Sequence, residues 1–155
     1  MKTRHLLSLL LISMTLAGCS FQQYFMIANS TDQTIRIKYS MEDPKSEKAL
    51  FGTRGQVYQS TIDYSPDWQH ELPYRDLNNS DNTVLIELGP KSTLVFGTLS
   101  NEKYDKTTMT SSTGKQFNLK EMAFSVNGTD YLIDASNFHD FFLEESGQFK
   151  YIIQP

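Results

Sequence analysis

The chain has 155 residues, with 18 acidic side chains against 14 basic ones, a net charge of −4 and one cysteine. An acidic surface repels phosphate backbones and anionic headgroups, which argues against nucleic acid as a partner and against membrane attachment by charge alone. A lone cysteine allows no disulfide within the chain, so the fold must be held by its core.

The first segment is MKTRHLLSLLLISMTLAGCS. Lys2 and Arg4 form a positive head, Leu6 to Ala17 is an apolar run of 12 residues, and the small residues Ala17 and Gly18 close it. A membrane-spanning helix needs about 20 apolar residues, so the run is too short to cross a bilayer. Leu6, Leu7, Leu9, Leu10, Leu11 and Ile12 would cover all sides of a helix, unlike the single apolar stripe of a soluble core helix. The layout is that of a secretory signal.

Leu16-Ala17-Gly18-Cys19 resembles the lipobox of bacterial lipoprotein precursors at all four positions. The resemblance implies a diacylglyceryl group on the Cys19 thiol, cleavage just before it, and acylation of the new α-amine with chains such as palmitate. Each buried methylene contributes about 0.8 kcal/mol, so two or three chains hold a domain stably at a membrane. By resemblance to enteric lipoproteins, Ser20 at the next position favours the outer membrane on its periplasmic side, with the inner membrane or the cell surface as the alternatives. Cleavage would leave 137 residues; of the 14 basic residues, Lys2 and Arg4 depart with the signal, leaving 12 against 18 acidic. The expected organisation is a signal over 1–18, a lipidated cysteine and short tether over 19–23, and one domain over 24–155. Such a length buries about two-thirds of its unfolded surface, enough for one self-sufficient core.

The body of the chain reads as β-sheet. Tyr24 to Ala28 is a first strand, joined to a second by the turn-forming Asn29-Ser30-Thr31-Asp32-Gln33. Thr34 to Met41 alternates strictly, with Ile35, Ile37, Tyr39 and Met41 on one face and Thr34, Arg36, Lys38 and Ser40 on the other. This stretch, from Tyr24 to Met41, is similar in pattern to immunoglobulin-like and pilotin-type β-domains of the bacterial envelope. Val57 to Tyr64 places Tyr58, Ile62 and Tyr64 on one face. Val84 to Leu88 and Thr93 to Phe96 read as inner strands joined by the turn Gly89-Pro90-Lys91-Ser92.

Val126-Asn127-Gly128-Thr129 is a two-residue hairpin of the Asn-Gly kind. Its register places Val126 opposite Thr129, Phe124 opposite Tyr131 and Met122 opposite Ile133, all on one face. In Ser136 to Phe142 the aromatics fall at i, i+3 and i+4, which predicts a short helix near 137–145, capped by Ser136 or Asn137 and stopped by Gly147. Phe149 to Ile153 is a final strand. About eight strands at this spacing predict an all-β fold, an antiparallel immunoglobulin-like sandwich or a small barrel. Two longer connections, Glu42 to Leu50 and Asn101 to Gly114, are polar; the second is rich in Thr and Ser and reads as a solvated tip.

No catalytic pattern emerges. His70 and His139 are the only histidines after the signal, and each precedes a carboxylate, Glu71 and Asp140, but adjacent residues point apart. Zinc ligand spacings, a GxSxG elbow and an SxxK pair are all lacking, so neither a metal, a cofactor nor an enzyme is expected. Glu144-Glu145 and Glu42-Asp43 read as solvated charge. The best recognition candidate is YQSTIDYSPDWQHELPYRDL, which gathers Tyr64, Trp68, His70, Tyr74 and Arg75 on a backbone stiffened by two prolines, Pro66 and Pro73. Aromatic rings with polar tips are favoured at protein and sugar interfaces. The alternative is that Tyr58, Ile62 and Trp68 simply pack against the sandwich. The expected function is therefore a lipid-anchored, non-catalytic interaction or assembly subunit with an envelope protein partner. The rival is a binding or inhibitor domain that meets a glycan, peptide or hydrolase around Trp68.

Overall fold

The structure, a computed structural model, describes residues 20–78 and 80–155. Cys19 and the signal expected over 1–18 lie outside the described residues.

Among the described residues the chain forms twelve strands and one helical turn: β1 (Gln22–Asn29), β2 (Ile35–Met41), β3 (Gln56–Ser60), β4 (Pro66–Leu72), β5 (Thr83–Leu88), β6 (Ser92–Ser100), β7 (Tyr104–Asp105), β8 (Thr110–Ser111), β9 (Leu119–Val126), β10 (Thr129–Ile133), α1 (Phe138–Phe141), β11 (Leu143–Glu145) and β12 (Gln148–Ile153). They form a six-stranded sheet in the order β11-β12-β1-β6-β3-β4, a four-stranded sheet β10-β9-β2-β5, and a small ribbon β7-β8. The two large sheets keep separate edges, so the fold is an all-β sandwich and not a closed barrel. Among the named strands every pairing is antiparallel except β1 with β12, which brings the first and last of them side by side in parallel, Tyr24 against Gln148 and Asn29 against Ile153.

Period-two patterning explains the layers. Ile35, Ile37, Tyr39 and Met41 of β2 are all buried while Arg36 and Lys38 are exposed, which orients the four-stranded sheet. The Asn127-Gly128 turn has φ of 51° and 79°, the double positive angles of a type I′ turn. It sets the register of β9 and β10 as expected, with Val126, Phe124 and Met122 opposite Thr129, Tyr131 and Ile133. Facing this layer are Phe25 and Ile27 of β1, Leu94 and Phe96 of β6, and Phe149 of β12. Phe25 is wholly buried, stacks on Phe149 at 4.9 Å, and meets Phe51 and Tyr104 edge-on at 5.0 and 5.3 Å. A register shift between β1 and β6 brings Gly97 opposite Phe25. A Cβ there would lie 2.7 Å from the Phe51 ring, so this bulge needs glycine to admit that ring.

Four local expectations are corrected. The described residues form twelve strands, not about eight; β4, of seven residues, and the short β7, β8 and β11 are the additions. The helix spans only Phe138–Phe141, because Ser146 and Gly147, with φ of 51° and 78°, close a second hairpin that draws Leu143–Glu145 into the sheet beside β12. Strand β3 stops at Ser60, and Ile62 is 99% exposed, because Thr61 turns the chain by bonding Ser65 through backbone N–H and hydroxyl alike. Finally, of the two strands that Gly89-Pro90 joins, only β6 is an inner one. The turn carries the chain from edge strand β5 of one sheet to inner strand β6 of the other.

Candidate functional site

The β3–β4 connection builds an aromatic patch on the outer face of the six-stranded sheet. Tyr58 pairs with Glu71 and Ser60 with Pro66, so two steps along β3 are matched by five along β4. The surplus residues arch outward as a bulge. Asp67 organises it: its carboxylate accepts the Gln69 backbone N–H at 3.1 Å and bonds His70 Nδ1 at 2.8 Å. The His70 ring is the main reason that the Asp67 carboxyl titrates below its usual range.

On this bulge the Trp68 ring lies 4.7 Å from Tyr24 and 5.0 Å from Tyr58. Beneath the patch, Met26 and Val95 are buried although they point away from the main core. Trp68 therefore roofs a small second core, while 48% of its own surface faces solvent. Thr61 and Ser65 hold the adjoining loop by hydrogen bonds to Asp63, whose carboxyl is lowered to about 2. Lys150 Nζ donates to the Asp63 carbonyl at 3.0 Å, tying that loop across the sheet to β12.

The five candidate residues separate. Trp68 and His70 share the bulge. Tyr64 sits at the loop, with φ of 60° and its carbonyl accepting the Thr93 hydroxyl at 3.3 Å. Tyr74 turns inward: it packs against the core and its hydroxyl donates to the Thr53 carbonyl at 3.1 Å, with burial raising its pKa. Arg75 is exposed beyond the strand. A surface built from these elements is thus centred on Trp68, with His70 beside it on the bulge.

Two arrangements escaped sequence reasoning. The Thr/Ser-rich connection is an ordered ribbon pinned by Glu102, whose carboxylate accepts from Ser111 Oγ (2.9 Å), Thr113 Oγ1 (2.6 Å) and Lys115 Nζ (2.9 Å). These bonds, Thr113 first, hold its carboxyl below the usual range. The ribbon borders a cleft of about 530 Å³ that also meets Glu144. No spacing signal in the sequence marks Glu102 as the hub; only the ribbon's fold brings its partners round it.

The second is His139, set among Phe138, Tyr104 and Phe149 at ring distances of 5.2, 5.8 and 6.1 Å. Its Nε2 bonds the Tyr104 hydroxyl at 3.2 Å, and its buried Nδ1 has no partner among the described residues. Burial lowers its pKa below 6.5, reinforced by Lys106 and opposed by Asp140 and Glu144. The sign follows directly. The unfolded chain binds this proton more readily than the folded one, so the stability contributed by neutral His139 is present above pH 6.5 and falls as the pH drops below it. Urea midpoints are expected to fall between about pH 6.5 and 5, above the range of the lowered carboxylates, and His139→Gln should flatten that slope. An unchanged slope in the variant would remove His139 as its source.

Among the described residues, no group of three or more His, Cys, Asp or Glu side chains is placed to hold a metal ion. Fold and surface together define a two-sheet β-sandwich with an aromatic-roofed outer face. Compared with models of protein families, with curated proteins and with solved structures, the chain matches none of them.

Proposed function

We propose that the chain is a lipid-anchored lipoprotein of the bacterial cell envelope, and that its sandwich is a non-catalytic interaction or assembly subunit. The observation that carries this reading is the lipobox-like LAGCS followed almost at once by sheet: β1 begins at Gln22, three residues after Cys19. Three extended residues reach about 10 Å, so acylation of Cys19 would hold the Gln22 end of the sandwich against the bilayer. Ser20 supports the outer membrane, with the domain on the periplasmic side. Both histidines of the domain have local packing or hydrogen-bonding roles, which supports recognition over catalysis. The half-exposed Trp68 favours a second reading, a domain that binds a glycan, a peptide or a foreign hydrolase through its outer aromatic patch.

Crosslinking intact cells that carry the tagged chain, beside a Cys19→Ala variant, tests both. Native chain should partition into the detergent phase and capture one dominant envelope protein, whereas Cys19→Ala should accumulate as unlipidated precursor. Normal detergent partition of the variant would refute the anchor. Capture of lipid and abundant porins alone would favour the ligand-binding reading instead.

A further inference from the structure

An open sheet edge offers its backbone hydrogen bonds to any extended chain; two of the four edges of this sandwich are blunted and a third is covered in part. Along β5, Leu77 N–H donates to the Leu85 carbonyl at 2.7 Å, Asp76 accepts the Leu85 N–H at 3.0 Å, and Asn78 Nδ2 reaches the Thr83 carbonyl at 3.2 Å. Edge strand β4 starts at a proline and is broken by its bulge. On β10 the cover is partial: the Leu132 carbonyl is taken by Asn137 Nδ2 at 3.1 Å, whereas the outward backbone groups of Asp130 have no partner among the described residues.

The fourth edge, β11, is bare. The two-residue turn Ser146-Gly147 makes Glu145 and Gln148 the hydrogen-bonded pair next to the turn, so the N–H and C=O of Glu144 point away from β12. Among the described residues nothing bonds them. Beside this edge Leu143 is 67% exposed. It borders a groove of about 580 Å³ that Phe141, Tyr151 and Ile152 line with apolar surface and Asp140 and Glu145 rim with negative charge. Neither carboxylate joins an ion pair among the described residues. The one lysine of the groove, Lys150, is directed to Asp63 and Ser65.

We infer that β11 and this groove form a docking site for an extended, cationic–apolar segment of an envelope protein, added as a further strand beside Leu143–Glu145. Backbone bonds to Glu144 would supply pairing. Alternate apolar side chains would enter the groove, and lysine or arginine side chains between them would meet Asp140 and Glu145. The inference deepens the interaction-subunit reading and rests on it for the nature of the partner, whereas the edge itself is independent of the lipid.

The test uses the lipidated chain in non-ionic detergent and a labelled, terminally blocked heptapeptide alternating lysine and valine. Fluorescence anisotropy should show saturable binding that weakens as salt rises, and hydrogen exchange should slow at Leu143–Glu145. Glu145→Lys should weaken binding about tenfold or more. Glu144→Pro, which deletes the outward N–H, should do the same while circular dichroism stays native. Equal binding of a glutamate–valine heptapeptide, or protection at β4 or β10 in place of β11, would overturn the proposal. So would a concentration-dependent dimer whose β11 is protected without peptide, since a second copy would then be the occupant. The Cys19→Ala chain in the same detergent should bind alike, so a failed anchor and a failed edge give different results.

Discussion

Phe25→Ala is expected to cost about 3–5 kcal/mol of folding free energy, the range for emptying a fully buried phenylalanine site. Phe25 is wholly buried and its ring touches elements that have little else in common. It stacks on Phe149 of β12 at 4.9 Å, meets Phe51 of the β2–β3 connection and Tyr104 of the ribbon edge-on, and lies 6.3 Å from Phe138 of α1. Removing it would leave aromatic walls whose backbones are fixed in two strands, a helical turn and the β2–β3 connection, so the cavity can collapse only in part. Domains of this size have about 5–15 kcal/mol in total, which makes this loss a large share of the whole. The check is urea unfolding: a much lower midpoint with an unchanged slope is expected. A midpoint within a few tenths of a molar of the native one would show that the aromatic cluster is not packed round this ring.

Asn29 carries the second large effect, through polarity and not volume. It is wholly buried where β1 ends. Its Nδ2 faces the carbonyls of Gln33, Leu88 and Gly89 at 2.7, 3.0 and 2.9 Å, and its Oδ1 accepts from Thr31 N–H and hydroxyl at 3.0 and 2.8 Å. One amide thus ties the β1–β2 turn to the end of β5, where the chain crosses between sheets. Asn29→Ala should cost about 2–4 kcal/mol, since several buried polar groups lose their partner at about 1–3 kcal/mol each. Asn29→Asp is the sharper test. It keeps the shape but aims a carboxylate oxygen at three carbonyl oxygens, which raises its folded-state pKa above the unfolded value of about 3.9. The deficit should therefore be smallest below about pH 4, where the group is protonated and can donate, and should grow as the pH rises through the folded pKa. Guanidinium or urea midpoints across that range would show it. A deficit independent of pH would mean that the three carbonyls do not face this side chain.

Local chemistry in the sequence was informative wherever neighbours along the chain decide the outcome. The alternation of Ile35, Ile37, Tyr39 and Met41 named the buried face of β2, and Asn127-Gly128 gave the pairing of β9 with β10 residue by residue. A second two-residue turn, Ser146-Gly147, was equally legible in principle. It was masked by the helical spacing of Phe138, Phe141 and Phe142, which tertiary packing reduces to one turn before β11 begins. The candidate site was legible only in composition. Trp68 and His70 do meet on one bulge, but that bulge depends on five residues of β4 being set against two of β3, a mismatch that no periodicity shows. Tyr74 looks like its neighbours in sequence and yet turns to the core, where the Thr53 carbonyl takes its hydroxyl proton.

The sequence by itself determined that the chain is β-rich, which faces of β2, β9 and β10 are buried, and where a lipid-bearing cysteine is expected, because hydrophobic period, turn chemistry and the lipobox pattern are all properties of a few adjacent residues. Only the tertiary structure decided that β5 and β6 part into different sheets, that the first and last strands lie parallel, that Glu102 gathers a ribbon and Asn29 a crossing, and that β11 lies bare beside an apolar groove with carboxylates on its rim. Those outcomes depend on contacts between residues tens of positions apart, whose geometry is set by how two sheets close on one aromatic core and not by any local preference.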